Sequence, residues 1–403
     1  MIRASVIAAA SVLAITSAAF AAEVSWLGIN EQNGTRVSTI RFEGPVEDGD
    51  TDTFLRVLQP ASEGVGQWDR LVVQLNSPGG SYPEGLLLAE TFRRQGVATE
   101  VASGDYCYSA CAIAFLGGSE RYPDVEPVVE GTLSNQLPDR SLAKGAELGF
   151  HAPYLNIPAS DYTAENVQDA YRLAVDSISI LIGLADHLHV EPAELPRLLA
   201  PGRDEAFVAD DVDAIRSLWI NYTDYSLQPR NLRSITRSMV ANACINRWYH
   251  TERRSALAGY EIAETVRSEF ELGSRLLGNG EEAFGVLTIG QGAVHTWIAY
   301  LPIAMTSDGK NFVWCIFDYG NNMPNVVYRA AGTVEELFEP YRDDWNVWTL
   351  QSRSDLLLRS REAQIAQSLR VLDMVPADTK LREVEDMIDM LQRSEPDLAK
   401  LAK

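Results

Sequence analysis

Positive charge is what this chain has least of. Its 34 lysines and arginines face 56 acidic residues, for a net charge of −22 at pH 7, and Lys144 is the only lysine before residue 310. A surface that acidic repels phosphates, which excludes nucleic acid and anionic membranes as general partners. Long apolar runs are also missing. After the first segment, none reaches the roughly 18 apolar residues that a bilayer span needs, so no stable membrane insertion of the mature chain is expected. Histidine is rare, with five in the chain. None stands at ligand spacing beside the Cys-x-x-x-Cys formed by Cys107 and Cys111, so no metal is expected there and no cofactor is implied. Internal repeats and low-complexity tracts are absent.

What is present begins with a leader. Arg3 is followed by an apolar run to about Ala14, and the segment closes on Ala19-Phe20-Ala21. The run is too short for an anchor, and small residues stand where a signal peptidase reads them. The expectation is cleavage after Ala21, giving a periplasmic or secreted protein. Its net charge is one unit more negative once Arg3 leaves. The four cysteines, Cys107, Cys111, Cys244 and Cys315, fit disulfides in an oxidising compartment. The pairs 107–111 and 244–315 each stay within one apparent domain. Four cysteines permit three pairings, and buried free thiols are the alternative.

The mature length suggests two or three domains on the usual prior of about 150 residues each. Residues 37–46 alternate and break at Gly-Pro, as a strand does. "DTFLRVLQPA" predicts a short helix stopped by Pro60. "DRLVVQL" (69–75) reads as a buried parallel strand, followed at once by "NSPGGS" and by a helix with Pro83 in its first turn and Gly96 past its end. "VATEVAS" is a third strand, and "SACAIAFLGG" a helix ended by two glycines. The polar segment 122–146 reads as an inserted loop or flap. "ELGFHAPY" (147–154) is a short strand. From 160 to 189 the spacing predicts a long helix with Tyr171, Val175, Ile178, Leu181 and Ile182 on one face. This order predicts an α/β domain over 22–225. Aromatic, strand-like runs then predict a smaller α+β domain over 230–352, and residues 353–403 read as a C-terminal helical segment able to pack on a partner chain.

Three pieces of the first domain carry chemistry. Gly79-Gly80 after a buried strand allow positive φ and close backbone approach, leaving amides for an anion or a developing oxyanion. Ser109 opens a helix, where its hydroxyl and the Ala110 amide face one place and the helix dipole adds positive charge. His151 stands at a strand end. Each has an ordinary explanation: a tight strand–helix turn, an N-cap serine, and a structural histidine. His187 and His189 read as helix-end or surface residues, and His250 and His295 as core or surface ones.

In the order strand–NSPGG–helix–strand–SA-helix–strand–FHAP, the chain resembles the Clp protease proteolytic subunit within the Clp-protease/crotonase superfamily. The resemblance covers residues 37–220 and implies a ββα spiral fold, a homo-oligomer and a serine peptidase acting on peptides or unfolded protein. It implies Ser109 as nucleophile, His151 as base, and Gly79 or Gly80 with Ala110 as oxyanion donors. The family's orienting aspartate aligns near Ala200. Asp204 is the nearest carboxylate and the candidate third member; Asp186, or a dyad without a carboxylate, are the alternatives. Exported relatives with a Ser–Lys pair put Lys144 forward as a base, against a solvated loop lysine. The competing functional reading is a non-catalytic binding or assembly protein that retains the fold. A third, a crotonase-type acyl-CoA enzyme, needs a cofactor that an exported compartment lacks.

Overall fold

The computed structural model describes residues 21–32, 35–66, 69–120, 138–154, 162–202, 204–222, 236–251, 256–278, 280–291, 294–320, 323–338 and 371–392. Most of the leader, residues 121–137 of the expected insert and most of the C-terminal helical segment lie outside these residues.

The architecture is mixed α/β. β1 (Glu23–Gln32) runs antiparallel to β2 (Thr35–Glu43). β2 then pairs in parallel with β3 (Arg70–Asn76), β3 with β4 (Ala98–Val101), β4 with β6 (Arg140–Leu142), and β6 with β9 (Ile220–Tyr222). The apolar run of β3 is buried, as a parallel strand covered on both faces requires. The helices α1 (Asp50–Ser62) and α2 (Tyr82–Gln95) pack beside it, with Phe54 edge-on to Phe92 at 4.8 Å between ring centroids. A second sheet holds β5 (Tyr106–Tyr108), β7 (Glu147–Phe150) and β8 (Phe207–Val208).

α2 follows its sequence signals. Its proline lies in the first turn, and Gly96 ends it in the left-handed conformation, donating to the Phe92 and Arg93 carbonyls. Pro60 does not stop α1. It sits in the last turn, where few intrahelical bonds remain to be lost, and the helix runs on to Ser62. The expected loop over 122–146 is corrected at its C-terminal end. Arg140–Leu142 is a buried strand inside the main sheet. The Arg140 guanidinium donates to the carbonyls of Leu116, Leu188 and Leu218 and joins three chain segments, so a residue that reads as solvated is wholly inside.

The long helix is α4 (Ala164–Leu184), capped by a reciprocal Thr163–Asn166 box. Of the residues expected on one face, Leu181 is buried, whereas Tyr171 is 72% exposed and Val175 and Ile182 also face solvent. α5 (Leu195–Leu199) and α6 (Val212–Ser217) follow. The later part contains α7 (Arg237–Thr251), α8 (Ala256–Leu277), the antiparallel meander β10 (Gly285–Gln291), β11 (Val294–Met305), β12 (Phe312–Gly320) and β13 (Met323–Ala331), and α9 (Val334–Phe338). One apolar cluster runs from β2 and α2 through Cys244, Leu301 and Phe317 to Met374. Residues 371–392, which end in α10 (Leu381–Gln392), fold back on the first unit. There the Val212 amide donates to the Thr379 carbonyl, and Lys380 pairs with Asp210 and Asp211.

α3 (Ala110–Phe115) lies so close to α2 that side chains are excluded between them. A Cβ on Gly85 would collide with the Ala110 backbone, and one on Gly117 with the Ala89 backbone. Gly85→Ala is therefore expected to cost about 1–3 kcal/mol through overpacking. Gly183→Ala, in open space on α4, should instead stabilise by about 0.4–1 kcal/mol. Thermal or urea denaturation of the two variants should show shifts of opposite sign.

Candidate active site

The site grows from two strands that end side by side. Ser77 closes β3 and pairs with Cys107 of β5: its amide donates to Tyr106 O at 2.8 Å, and Tyr108 N donates back to Ser77 O at 3.1 Å. β5 runs parallel to β7 with Tyr108 opposite Gly149, and Ser109 N donates to Gly149 O at 2.9 Å. That register brings Ser109 beside Phe150, with His151 one residue further on. Leu148 and Phe150 are buried, so strand alternation puts His151 on the opposite face with Gly149.

Ser109 turns the chain from β5 into α3 at φ 57°, ψ −122°. Few non-glycine residues adopt positive φ, and such a position costs on the order of 1–3 kcal/mol. Its hydroxyl makes no capping bond to α3, so the ordinary role of an N-cap serine is left unperformed. Gly79, at φ 95°, lies against it: a Cβ there would meet Ser109 Cβ at 2.6 Å and Ala110 N at 3.2 Å. The buried Ser77 hydroxyl takes up the Gly79 amide at 3.1 Å. Gly79 O accepts from Val46 N at 2.9 Å, and Gly80 packs on the Val46 backbone. The Gly80 and Ala110 amides donate to no acceptor among the described residues. One of these unused N–H groups directly follows Ser109 and the other directly follows the Gly79 packed against it, the kind of donor a site that stabilises negative charge needs.

The His151 ring bonds a carbonyl. Its Nδ1 lies 2.8 Å from Ala152 O. A carbonyl only accepts, so Nδ1 carries a proton, and in the neutral ring this tautomer leaves Nε2 as the acceptor. Ala152 is itself held, its amide donating to Pro201 O at 3.0 Å. Tyr154 lies beside the imidazole, 5.3 Å between centroids. Asp204 and Asp186 are exposed, and neither carboxylate makes a hydrogen bond or ion pair among the described residues. Lys144 reaches toward Glu385 of α10 at 4.0 Å.

Both disulfides are present: Cys107 to Cys111, and Cys244 to Cys315. The first spans the Ser109 turn, joining β5 to the first turn of α3. Burial, with the Glu147 carboxylate beside it, pushes the Tyr108 phenol up to about 12, so it stays protonated at neutral pH. Of the other histidines, His187 is exposed and His189 bonds Arg93. The side chains of His250 and His295 lie outside the described residues. Among those residues no group of three or more His, Cys, Asp or Glu is placed to hold a metal ion.

Sequence reading overlooked three contributors: the Ser77 hydroxyl, Gly149 and Gly85. Ser77 stands in the quoted loop, and its burial at a strand end was the available signal. No family model matches the chain, and no curated protein matches it.

Loop length separates the roles of the two disulfides. Chain entropy gives a 71-residue separation about 4 kcal/mol and a 4-residue one about 2 kcal/mol. The double variant Cys107→Ser/Cys111→Ser should lower the melting temperature less than Cys244→Ser/Cys315→Ser. It should also cut the reactivity of Ser109 toward a serine-directed probe at least about tenfold, since the strained turn loses its staple. Melting curves and labelling rates check both halves.

Proposed function

We propose that this chain is an exported serine hydrolase of the Clp-protease/crotonase kind, acting as a peptidase on peptides or unfolded protein. The observation that carries the reading is the Ser109 turn: a strained serine, its hydroxyl unused by the helix it opens, near two unpaired amides. Two disulfides fit an oxidising compartment, and among the described residues no helix is long and apolar enough to cross a membrane.

In this mechanism Ser109 Oγ attacks the carbonyl carbon and its proton passes to His151 Nε2. The Gly80 and Ala110 amides receive the oxyanion. His151 then protonates the leaving amine, and water, activated by the same imidazole, releases the acyl group. The Ala152 carbonyl sets the imidazole tautomer, the task that a carboxylate has in a triad. The exposed apolar face of α4 supports a homo-oligomer. The second reading, a binding protein that keeps the fold, draws on one observation: no hydrogen bond joins Ser109 Oγ to His151 among the described residues. Unliganded hydrolases often hold this pair loosely.

Labelling with a fluorophosphonate probe tests the reading. Wild type should label stoichiometrically and Ser109→Ala not at all, with His151→Ala slower by about 100-fold or more. Asp204→Asn should stay within about twofold of wild type, because the Ala152 carbonyl already fixes the ring. A well-folded wild type that does not label favours the binding protein. A loss of about 10⁴ in Asp204→Asn would restore the carboxylate as orienter.

A further inference from the structure

The first residue expected after the leader is buried. Ala22 is 7% exposed and belongs to the main apolar cluster, whereas Ala21 faces solvent. Gly44 lies under it, with room for a Cβ only at 3.4 Å from Ala22 Cα. Beside Ala22 lies an acidic pair with no cation. Asp50, at the start of α1, is 2% exposed, and Glu84, in the first turn of α2, is 5% exposed. Asp50 Oδ2 accepts from Glu47 N at 2.8 Å, and Glu84 Oε1 from Thr51 N at 2.7 Å. Among the described residues no ion pair joins Asp50, Glu84 or Glu47 to a lysine, arginine or histidine. Burial pushes the Asp50 carboxyl up, and the charged groups facing it, Glu84 and Glu47, are both acidic and add to that; the Glu47 and Ala22 amides oppose it. Two buried carboxylates that repel each other and have no cation between them call for a positive charge.

We propose that the mature amino terminus supplies it: hydrolysis of the Ala21–Ala22 bond seats the Ala22 ammonium on the buried Asp50 carboxylate, and this pair locks the loop that holds Gly80. Water adds across the peptide bond. Ala21 leaves with the new carboxylate, and the Ala22 nitrogen, already directed at Asp50, becomes a primary amine. An α-amine is mostly protonated below about pH 8, so one neutral donor becomes a cation with three. The seat connects to the candidate site through five residues. Glu47 N is held by Asp50, Asp48 accepts from the Ser81 hydroxyl at 2.7 Å, and Val46 bonds Gly79 O and Ser81 N on either side of Gly80. Leader removal thus completes the oxyanion loop. The inference rests on the leader reading, and the position is strict: a terminus one residue earlier puts the charge on exposed Ala21, and one residue later removes it.

The test uses the full exported chain in three forms: wild type, a form with Gly-Ser inserted between Ala21 and Ala22, and Asp50→Asn. Sequencing of the mature amino terminus must begin at Ala22 in wild type; another start overturns the proposal. Acetylation by an N-hydroxysuccinimide ester, followed by mass spectrometry, should find the Ala22 amine at least about tenfold slower than the exposed Lys310 amine, and the extended terminus as fast as Lys310. Equal rates in wild type overturn it. The amine gains a partner on folding, so its folded pKa lies above the unfolded value of about 8. Its stabilisation is full below that pH and is lost as pH rises through the folded value. The wild-type melting temperature should therefore fall from pH 8 to 10.5 by more than that of the extended form, and identical profiles overturn the proposal. Should Asp50→Asn not fold, the extended form carries the comparison. Fluorophosphonate labelling of the extended form should be several-fold slower. If no form labels, the hydrolase reading fails, while the amine and melting results still judge the seat.

Discussion

The site depends on a close backbone approach around one strained turn. Three consecutive residues, Tyr108, Ser109 and Ala110, each face a glycine whose missing side chain is what allows the contact. Gly149 lies under the Tyr108 ring, Gly79 against Ser109 Cβ, and Gly85 against the Ala110 backbone. These glycines come from β7, the loop after β3, and α2. The turn is therefore clamped from three sides, and a positive-φ serine that costs on the order of 1–3 kcal/mol persists because its surroundings over-determine it. The amide bonds to Ser77 and Gly149 fix its entry, and the 107–111 disulfide fixes its exit. In the mechanism proposed, such pre-organisation of Oγ and the nearby amides before any ligand arrives is what would contribute most to catalysis.

Buried charge performs the longer-range joining. Among the described residues Arg140 has no carboxylate partner, and its guanidinium donates to the carbonyls of three segments. Asp373 stands between Arg216 of α6 and Arg247 of α7, while the Asn242 and Asn246 side chains donate to carbonyls of residues 373–375. Removing one partner from such a group leaves an uncompensated buried charge, at a cost of about 3–5 kcal/mol. The C-terminal stretch thereby fastens the first unit to α7, and the apolar cluster runs through both without a break. It is more a strap of this chain than a free arm.

This arrangement explains what the sequence could reveal. Strand β3, helix α2 with its proline and glycine, and the order of Gly79, Ser109 and His151 were legible because apolar periodicity and backbone-special residues mark them locally. The two cysteine pairs are the ones expected of the three possible connectivities. Strand β6 was hidden because its arginine is satisfied by carbonyls far along the chain, which no local pattern encodes. Strands β8 and β9 are only two and three residues long, below the length at which alternation is visible. How much of the apolar face of α4 the chain itself covers was not legible either. Its spacing is regular, but Leu181 and its neighbours at the C-terminal end are what the rest of the fold covers. The orienter of His151 was out of reach, since a backbone carbonyl leaves no trace in a residue pattern.

That carbonyl changes the energetics of the proposed mechanism. A carboxylate beside an imidazole does two things: it fixes the tautomer and it stabilises the imidazolium formed as the serine proton arrives. The Ala152 carbonyl does the first fully. It does the second only as a dipole, without the net negative charge that would favour protonated His151. α3 is six residues long, so its dipole adds little beyond its first free amides. The burden of lowering the barrier therefore shifts toward the oxyanion donors, Gly80 and Ala110, whose bonds strengthen as charge moves to the carbonyl oxygen. This makes the position of Gly80 the sensitive variable of the site, and Gly80 is held by the loop that Asp50 secures. A centre without an orienting carboxylate is most exposed to disturbance of that loop, and the buried Asp50 carboxylate is what holds it.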